Sequence, residues 1–203
     1  GIQGCLFSLA NLAIQGAINA YGSVVVAGSS AAGSIDGFIY VSMNTFHQTA
    51  QTFLSQNIGA GKYDRVKDIL KKCLLCTVVT GAILGTVACV FSQPLLRIYN
   101  QDPAVVAAGT VRLYIAVAPY IIFGLADVLT GAIRGCGSPV RPVVINLLCT
   151  CVFRLLWIAA INTDTMPVTW VYASYPASWL VLLIALTVCW LRLYRRKIRP
   201  HLM

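Results

Sequence analysis

The sequence contains no glutamate, and charged residues make up only 10% of its 203 positions. An average soluble domain has roughly 25% charged residues. Hydrophobic types account for 58% of this chain, and its mean hydropathy is +0.78. A soluble globule of this size could not bury so much apolar surface. The composition therefore argues against a cytosolic enzyme, a secreted disulfide module and a disordered tail, and it predicts a polytopic membrane protein.

The sequence also lacks a starting methionine and a recognisable signal peptide. Its first residue is Gly1, and no basic segment followed by a small-residue cleavage site comes after it. We therefore expect either a processed chain or a piece of a longer protein.

Metal-binding and catalytic patterns are missing as well. Of the eight cysteines, Cys73 and Cys76 form a lone C-x-x-C, and Cys149 and Cys151 form a C-x-C, but both lie in apolar runs without a nearby histidine. A buried free cysteine behaves as a small hydrophobe, so this interpretation is favoured over a redox or zinc site. The chain contains no pair of catalytic carboxylates, no activated nucleophile and no phosphate-binding glycine loop. We expect no metal, no cofactor and no enzymatic activity.

Six apolar segments are long enough to be membrane helices. A helix needs about 20 mostly apolar residues to cross about 30 Å of hydrocarbon, and lipid offers no partner for a free backbone group. The predicted fold class is all-α, a polytopic membrane helix bundle over residues 1–191 with a basic tail over 192–203. The six spans cover residues 4–19, 34–56, 73–90, 106–133, 142–161 and 168–191.

The net charge of +9 is distributed unevenly between the predicted loops. Twelve lysines and arginines follow spans two, four and six, against two on the opposite side. Cytoplasmic loops carry this excess in membrane proteins, so both termini are predicted to be cytoplasmic. A nucleic-acid partner is not expected, because no basic helix or aromatic platform accompanies the charge.

The second span carries a polar stripe along its whole length. On a helix, its polar side chains fall within a sector of about 100°. Such a stripe cannot face lipid, so it faces either other helices, through hydrogen bonds, or water in a transport cavity. Both interpretations stay open, and the length of the stripe favours the cavity. The stripe consists of Asp36, Tyr40, Asn44, His47, Gln51 and Ser55.

Two more spans contain an ionisable residue at depth. Asp127 in span four suits a proton carrier or a cation site, since acids inside a membrane are functional by default. Alternatively, it pairs with Arg134 or Arg154 near the inner end. Arg154 in span five is expected to face the bundle interior, with a structural pair favoured. Asp36 lies nearer the outer end, where contact with water would explain it.

Four motifs resemble elements of the multidrug and toxic compound extrusion (MATE) family. Residues 52–62, T-F-L-S-Q-N-I-G-A-G-K, resemble a signature that closes a helix at the cytoplasmic face. Residues 131–139, G-A-I-R-G-C-G-S-P, are similar to the element after helix ten, and residues 151–157 are similar to the arginine-bearing helix eleven. Gln15-x-x-x-Asn19 resembles the end of helix seven. The motif residues are Gln56, Asn57, Gly59, Ala60, Arg134, Gly135 and Arg154.

The resemblance implies the second half of a twelve-helix transporter, with residues 1–203 as helices seven to twelve of a repeated-half architecture. Family members export amphipathic, usually cationic, compounds by antiport with H⁺ or Na⁺ through alternating access. The implied location is a bacterial inner membrane. The implied partners are small amphipathic substrates, membrane lipid, and a missing N-terminal six-helix lobe or a second copy. The implied pathway residues are Gln15, Asn19, Asp36, Tyr40, Asn44, His47, Gln51, Tyr120 and Asp127.

Two other functions remain as alternatives. A flippase for lipid-linked saccharides, from the same superfamily, should have a strongly basic cleft, whereas Arg154 is the only deep positive charge that we predict. A membrane scaffold without transport should have no polar stripe across a span.

Overall fold

The structure is a computed structural model that describes residues 2–161 and 165–201, with side chains from residue 8 onward. All regular structure in these ranges is helical, which confirms the predicted all-α membrane bundle. The α-helices are α1 (Ile2–Asn19), α2 (Ser23–Gly59), α3 (Val66–Val90), α4 (Ser92–Tyr99), α5 (Pro103–Val117), α6 (Tyr120–Gly135), α7 (Val140–Asn146), α8 (Phe153–Ala160) and α9 (Thr169–Leu193).

Helices lie at all six positions where spans were predicted, but they differ in length and continuity. By length and composition, four helical segments of the described chain are able to cross a membrane: Ser23–Gly59, Tyr63–Val90, Val140–Ala160 and Thr169–His201. The predicted fourth span is a bent pair, α5 and α6, which meet at 45° and supply a fifth candidate. Pro119 lies at the break, where its missing N–H cannot continue the helix. The 18-residue α1 carries four glutamine and asparagine residues and is not among these candidates.

Two segments are helical beyond the predicted boundaries. Helix α2 has 37 residues and begins well before residue 34, at Ser23, and the small residues Gly28 and Ala32 are buried in this first part. At the other end, the predicted basic tail continues α9 as a π-helical segment, Tyr194–Ile198, and a short 3-10 turn. Ile198 is only 1% exposed, so this end of the chain packs into the bundle.

Helix α2 lies in the middle of the bundle and contacts α3, α5 and α6, while α9 covers the other side of α6. The contact with α5 is a backbone crossing: a Cβ atom on Gly28 would lie 2.7 Å from the amide nitrogen of Gly109. Met43 is fully buried farther along α2, against Gly81 and Gly124. Small residues at these crossings let membrane helices approach closely.

One end of the bundle collects basic residues from distant parts of the chain, and we call it the basic end. The loop after α2 meets the last turns of the chain there, with the Tyr63 and His201 rings stacked at 4.2 Å. The Lys67 ammonium lies 5.0 Å from the centre of the Tyr194 ring. Segments that the sequence analysis assigned to one side of a membrane are therefore neighbours in the fold.

Candidate functional site

A polar cavity of about 560 Å³ lies inside the bundle, bordered by α1, α2, α6, α9 and the segment that joins α7 to α8. Its wall mixes acids, bases, amides and aromatic rings. The lining includes Asn11, Asp36, Tyr40, Asn44, His47, Gln48, Tyr120, Phe123, Asp127, Thr130, Arg134, Asn146, Thr150, Arg154, Tyr175 and Trp179.

Four residues of the predicted stripe on α2 line this cavity. Asp36, Tyr40, Asn44 and His47 follow one face of the helix over about 16 Å. The two remaining residues of the stripe, nearer the basic end, are not among the lining residues. The Gln51 carbonyl packs against Gly135, where an added Cβ would lie 2.6 Å away. The exposed Ser55 hydroxyl donates to the carbonyl of Thr52 at 2.9 Å.

Both carboxylate oxygens of Asp127 are bonded to side chains of α2. The Nδ1 atom of His47 lies 2.9 Å from Oδ1, and Nδ2 of Asn44 donates to Oδ2 at 3.4 Å. The His47 side chain is 5% exposed and that of Asp127 is 15% exposed. The predicted partners Arg134 and Arg154 form no ion pair with Asp127. The reason is that α6 turns this face toward α2, so the acid meets an imidazole.

The hydrogen bond between Nδ1 of His47 and Oδ1 of Asp127 needs a proton on one of these two atoms. With Asp127 ionised, a protonated Nδ1 of His47 donates to the carboxylate. With Asp127 protonated, the charge that attracts His47 and Asn44 is removed. Sequence reasoning missed the pairing because the two residues are 80 positions apart and His47 has no local partner.

Asp36 lies at the other end of the stripe, among groups that the sequence did not bring together. Its side chain lies within electrostatic range of Tyr120, Arg112 and Arg154. Its Oδ1 atom is buried and accepts no hydrogen bond from a described residue. Asp36 thus lies near opposite charges in the wall of the cavity, and the expectation that contact with water explains it stays a prediction.

Arg154 faces the bundle interior, as expected, and is 6% exposed. It forms no ion pair with an acid of the described chain. Its Nε donates to Oγ of Ser178 at 2.9 Å, and its guanidinium lies 4.5 Å from the ring centre of Tyr175 and 6.0 Å from that of Trp179. A guanidinium over aromatic faces is a favourable cation–π contact. Nothing in the apolar pattern of α9 predicted Ser178 as a partner.

Arg112 is a second guanidinium near the cavity, although the sequence analysis counted it among the loop charges. It is half-buried on α5 and donates to the carbonyl of Ser29. It also lies 5.9 Å from the ring centre of Tyr175. The small residue Gly33 leaves room for it, since a Cβ there would lie 3.5 Å from the guanidinium nitrogens.

Aromatic rings connect the two charged regions of the cavity wall. Phe123 lies 5.9 Å from Tyr40, 5.2 Å from Tyr120 and 5.4 Å from Trp179, measured between ring centres. Tyr120 and Trp179 meet edge to face at 5.2 Å. The rings form a continuous apolar wall between the Asp127 pair and the cluster around Asp36.

The predicted pathway residues of α1 are not in the cavity. Gln15 and Asn19 are exposed, and the Gln15 amide donates to the Asn19 side chain at 3.1 Å. Among the described side chains of α1, Asn11, one helical turn before Gln15, lines the cavity.

The motif at the end of α2 terminates that helix. The amide of Ala60 donates to the Gln56 carbonyl at 3.0 Å, and the side chain of Asn57 donates to the Phe53 carbonyl at 2.8 Å. Gly59 is the last helical residue. Gly61 follows with φ 71°, a left-handed conformation that favours glycine. Of the predicted motif residues on later helices, Arg134 and Arg154 line the cavity, and Gly135 packs on α2.

Apolar helices of membrane-spanning length around a charged, polar cavity define a polytopic membrane protein of the helix-bundle class. A comparison with known families identifies one family within this class. The MatE family model matches residues 1–158, which is most of the chain, and the protein belongs to this family.

Known relatives are longer than this chain. It is 23% identical over 180 residues to the probable multidrug resistance protein YoeA of Bacillus subtilis, covering 88% of this chain and 39% of that protein. It is 27% identical over 157 residues to the FAD transporter of Shewanella oneidensis, covering 76% and 34% of the two chains. A solved structure of a MOP superfamily transporter from Pyrococcus furiosus superposes with a TM-score of 0.82 at 17% identity, over 97% of this chain and 43% of that one. The chain thus spans about two fifths of the length of these proteins.

Proposed function

We propose that the chain is one six-helix half of a secondary active transporter that exports amphipathic, cationic compounds in exchange for H⁺ or Na⁺. The observation that carries the proposal is the His47–Asp127 pair, joined at 2.9 Å in the wall of a polar cavity. An acid is costly inside a membrane and is retained there for a function. The name of the Bacillus subtilis relative, a probable multidrug resistance protein, supports a drug as the cargo.

Ion binding at Asp127 is coupled to transport through the contact between α2 and α6. When Asp127 binds H⁺ or Na⁺, its attraction for His47 and Asn44 falls, and the cavity wall is free to change its arrangement. The ion shifts the balance between two conformations only by its different affinity for them. The faces of Tyr40, Tyr120 and Phe123 offer a flat cationic molecule a place to stack.

We place the protein in a bacterial inner membrane with the basic end on the cytoplasmic side, because lysine and arginine collect there. A first lobe, or a second copy of this chain, completes the wall of the pathway. Alternating access would then be a movement of one half against the other around the cavity.

The test is Asp127→Asn in the full-length protein, assayed by export of ethidium or norfloxacin at several external pH values. The substitution keeps the shape of the side chain but cannot bind a proton in this range. We expect export to fall to background and its pH dependence to disappear. Asp68→Asn, an exposed acid in the first turn of α3, is the matched control and should export normally.

Unchanged export with an unchanged pH profile would remove Asp127 from the mechanism. Loss of export together with loss of protein from the membrane would assign Asp127 to folding. Quantifying the variant in purified membranes separates these two results.

A second candidate function is favoured by Arg112 and Arg154, which bring two guanidiniums to one region of the cavity. This arrangement suits a cargo that carries phosphate, as a lipid-linked saccharide flippase would require. The name of the Shewanella oneidensis relative, an FAD transporter, also points to a phosphate-bearing molecule. Transport of FAD but not of ethidium by reconstituted vesicles would favour this alternative.

A further inference from the structure

A second large cavity, of about 810 Å³, is a groove between α7 and α9 on the outside of the bundle. Its walls are mostly aliphatic. Val140 and Val144 line it from α7 and are 68% and 47% exposed, and Val188 on α9 is 42% exposed. Ala185 and Cys189 complete the apolar wall on α9.

Three arginines line the same groove where it reaches the basic end. Arg192 and Arg196 are four residues apart along α9 and its π-helical continuation, and Arg141 lies across from them on α7. All three are exposed, and none forms a hydrogen bond or an ion pair with a described residue. No acidic side chain lines the groove. The positive charge at this mouth is therefore not neutralised by the described chain.

The groove has the dimensions and the polarity of one leaflet of a bilayer. From Ala185 to Arg196 the helix rises about 16 Å. Half of a hydrocarbon core of about 30 Å is close to the same length. The aliphatic part of the groove thus lies toward the membrane centre, and the arginines lie where headgroups are found.

We propose that this groove binds an anionic phospholipid. The guanidiniums of Arg141, Arg192 and Arg196 hold the phosphate, since a guanidinium presents parallel N–H donors that fit phosphate oxygens. An acyl chain lies against Val144 and Val188. A zwitterionic lipid carries its own cation to the same place, so the site prefers a lipid with net negative charge. A cationic drug is repelled by the three arginines, which makes this groove distinct from the polar cavity.

The proposal is tested by native mass spectrometry of the full-length protein after removal of bound lipid. Phosphatidylglycerol and phosphatidylcholine with the same acyl chains are titrated separately. Inorganic phosphate is titrated as well, because it offers the same anionic group without an acyl chain. We expect phosphatidylglycerol to bind in preference to phosphatidylcholine, and inorganic phosphate not to displace it.

Arg141→Gln, Arg192→Gln and Arg196→Gln combined should weaken phosphatidylglycerol binding by about tenfold or more, because each arginine at a membrane surface attracts anionic lipid. The matched control removes the same number of charges from the basic end but outside the groove, by Arg65→Gln, Arg195→Gln and Arg199→Gln. The control should bind phosphatidylglycerol as the unaltered protein does.

Equal binding of the two phospholipids, or equal losses in both triple variants, would overturn the proposal. Complete displacement by inorganic phosphate would identify a soluble ligand instead of a lipid. A measurement without any variant is available: phosphatidylglycerol with a photoreactive acyl chain should crosslink to residues 140–145 and 185–189. A separate crosslinking experiment uses a reagent that reacts with the Cys189 thiol. A crosslink from Cys189 to the rest of the protein or to a second copy would show that the groove is a protein interface, and it would exclude the lipid site.

Discussion

At the scale of the residue, the described part of the bundle stabilises its inner charges without an ion pair between arginine and acid. Arg154 bonds a serine hydroxyl and lies over two rings, and Arg112 bonds a backbone carbonyl. Asp127 bonds an imidazole and an amide. Arg154 and Arg112 thus have uncharged partners, and Asp127 has an imidazole and an amide.

Helices α2 and α5 are in backbone contact where Gly28 crosses Gly109. We expect Gly28→Ala to lower the free energy of unfolding by about 1–3 kcal/mol, because the new methyl group meets backbone on α5 and overpacks the crossing. The measurement is the melting temperature in detergent. Gly16→Ala is the control, since an added Cβ on α1 meets nothing within 4 Å and alanine is the better helix former. Equal melting of both variants would show that α5 moves away at little cost.

The sequence was sufficient to find Asp36, Asp127 and Arg154, but not Arg112 and not the partners of these residues. Periodicity placed Asp36, Asn44 and His47 on one face, and this face lines the cavity. The pairing of His47 with Asp127 depends on how α2 and α6 are rotated against each other, which no local pattern contains. Ser178 was missed for the same reason, because a serine on an apolar helix has many possible partners.

At the scale of the element, the π-helical segment Leu147–Val152 sets the direction of Arg154. Such segments insert one extra residue into a helix and are frequent at functional sites. The insertion shifts Phe153–Ala160 by about 100° relative to an uninterrupted helix. In this position Thr150 and Arg154 line the cavity.

Deleting Leu148 should restore an ordinary helix and rotate Arg154 away from Ser178. We expect a loss of about 1–3 kcal/mol or more, since a buried guanidinium would lose its hydrogen bond. Melting in detergent measures the effect. Leu148→Ala is the control, because this side chain is 58% exposed and its truncation leaves the helical register intact. A deletion variant as stable as this control would contradict the role of the π-helical segment.

The helix boundaries show what the hydropathy pattern is able to predict and what it is not. This pattern predicted six spans, and helices lie at all six positions, but α1 is not among the described segments that are able to cross a membrane by length and composition. It placed the start of α2 late, at residue 34, although the helix begins at Ser23 and Gly28 packs against α5. It treated α5 and α6 as one span, although Pro119 was a visible reason for a break.

At the scale of the whole molecule, the basic end and the opposite end should face different compartments. We expect Lys62→Cys and Gln101→Cys, each in a background without other cysteines, to be labelled from opposite sides of the membrane. Both native residues are exposed, and α3 lies between them. A membrane-impermeant maleimide added to intact cells should label Gln101→Cys, and Lys62→Cys only after the cells are opened.

Labelling of both positions in intact cells would mean that α3 does not cross the membrane. Labelling of Lys62→Cys alone would reverse the orientation while leaving the bundle intact. The two results are distinguishable in a single experiment, since each cysteine reports separately.

The two glycine crossings of α2 also restrict how the protein is able to move. Gly28 touches the backbone of α5, and Gly131 on α6 lies against the carbonyl of His47. Helix α2 is thus fastened to both halves of the broken pair, on either side of the 45° bend. Sliding of α2 along its own axis is blocked, because it would drive backbone into backbone at both points. We therefore expect the backbones of the three helices to move together, and the proposed change in the cavity wall to involve side chains such as Asp127 and His47 and the helices around this unit.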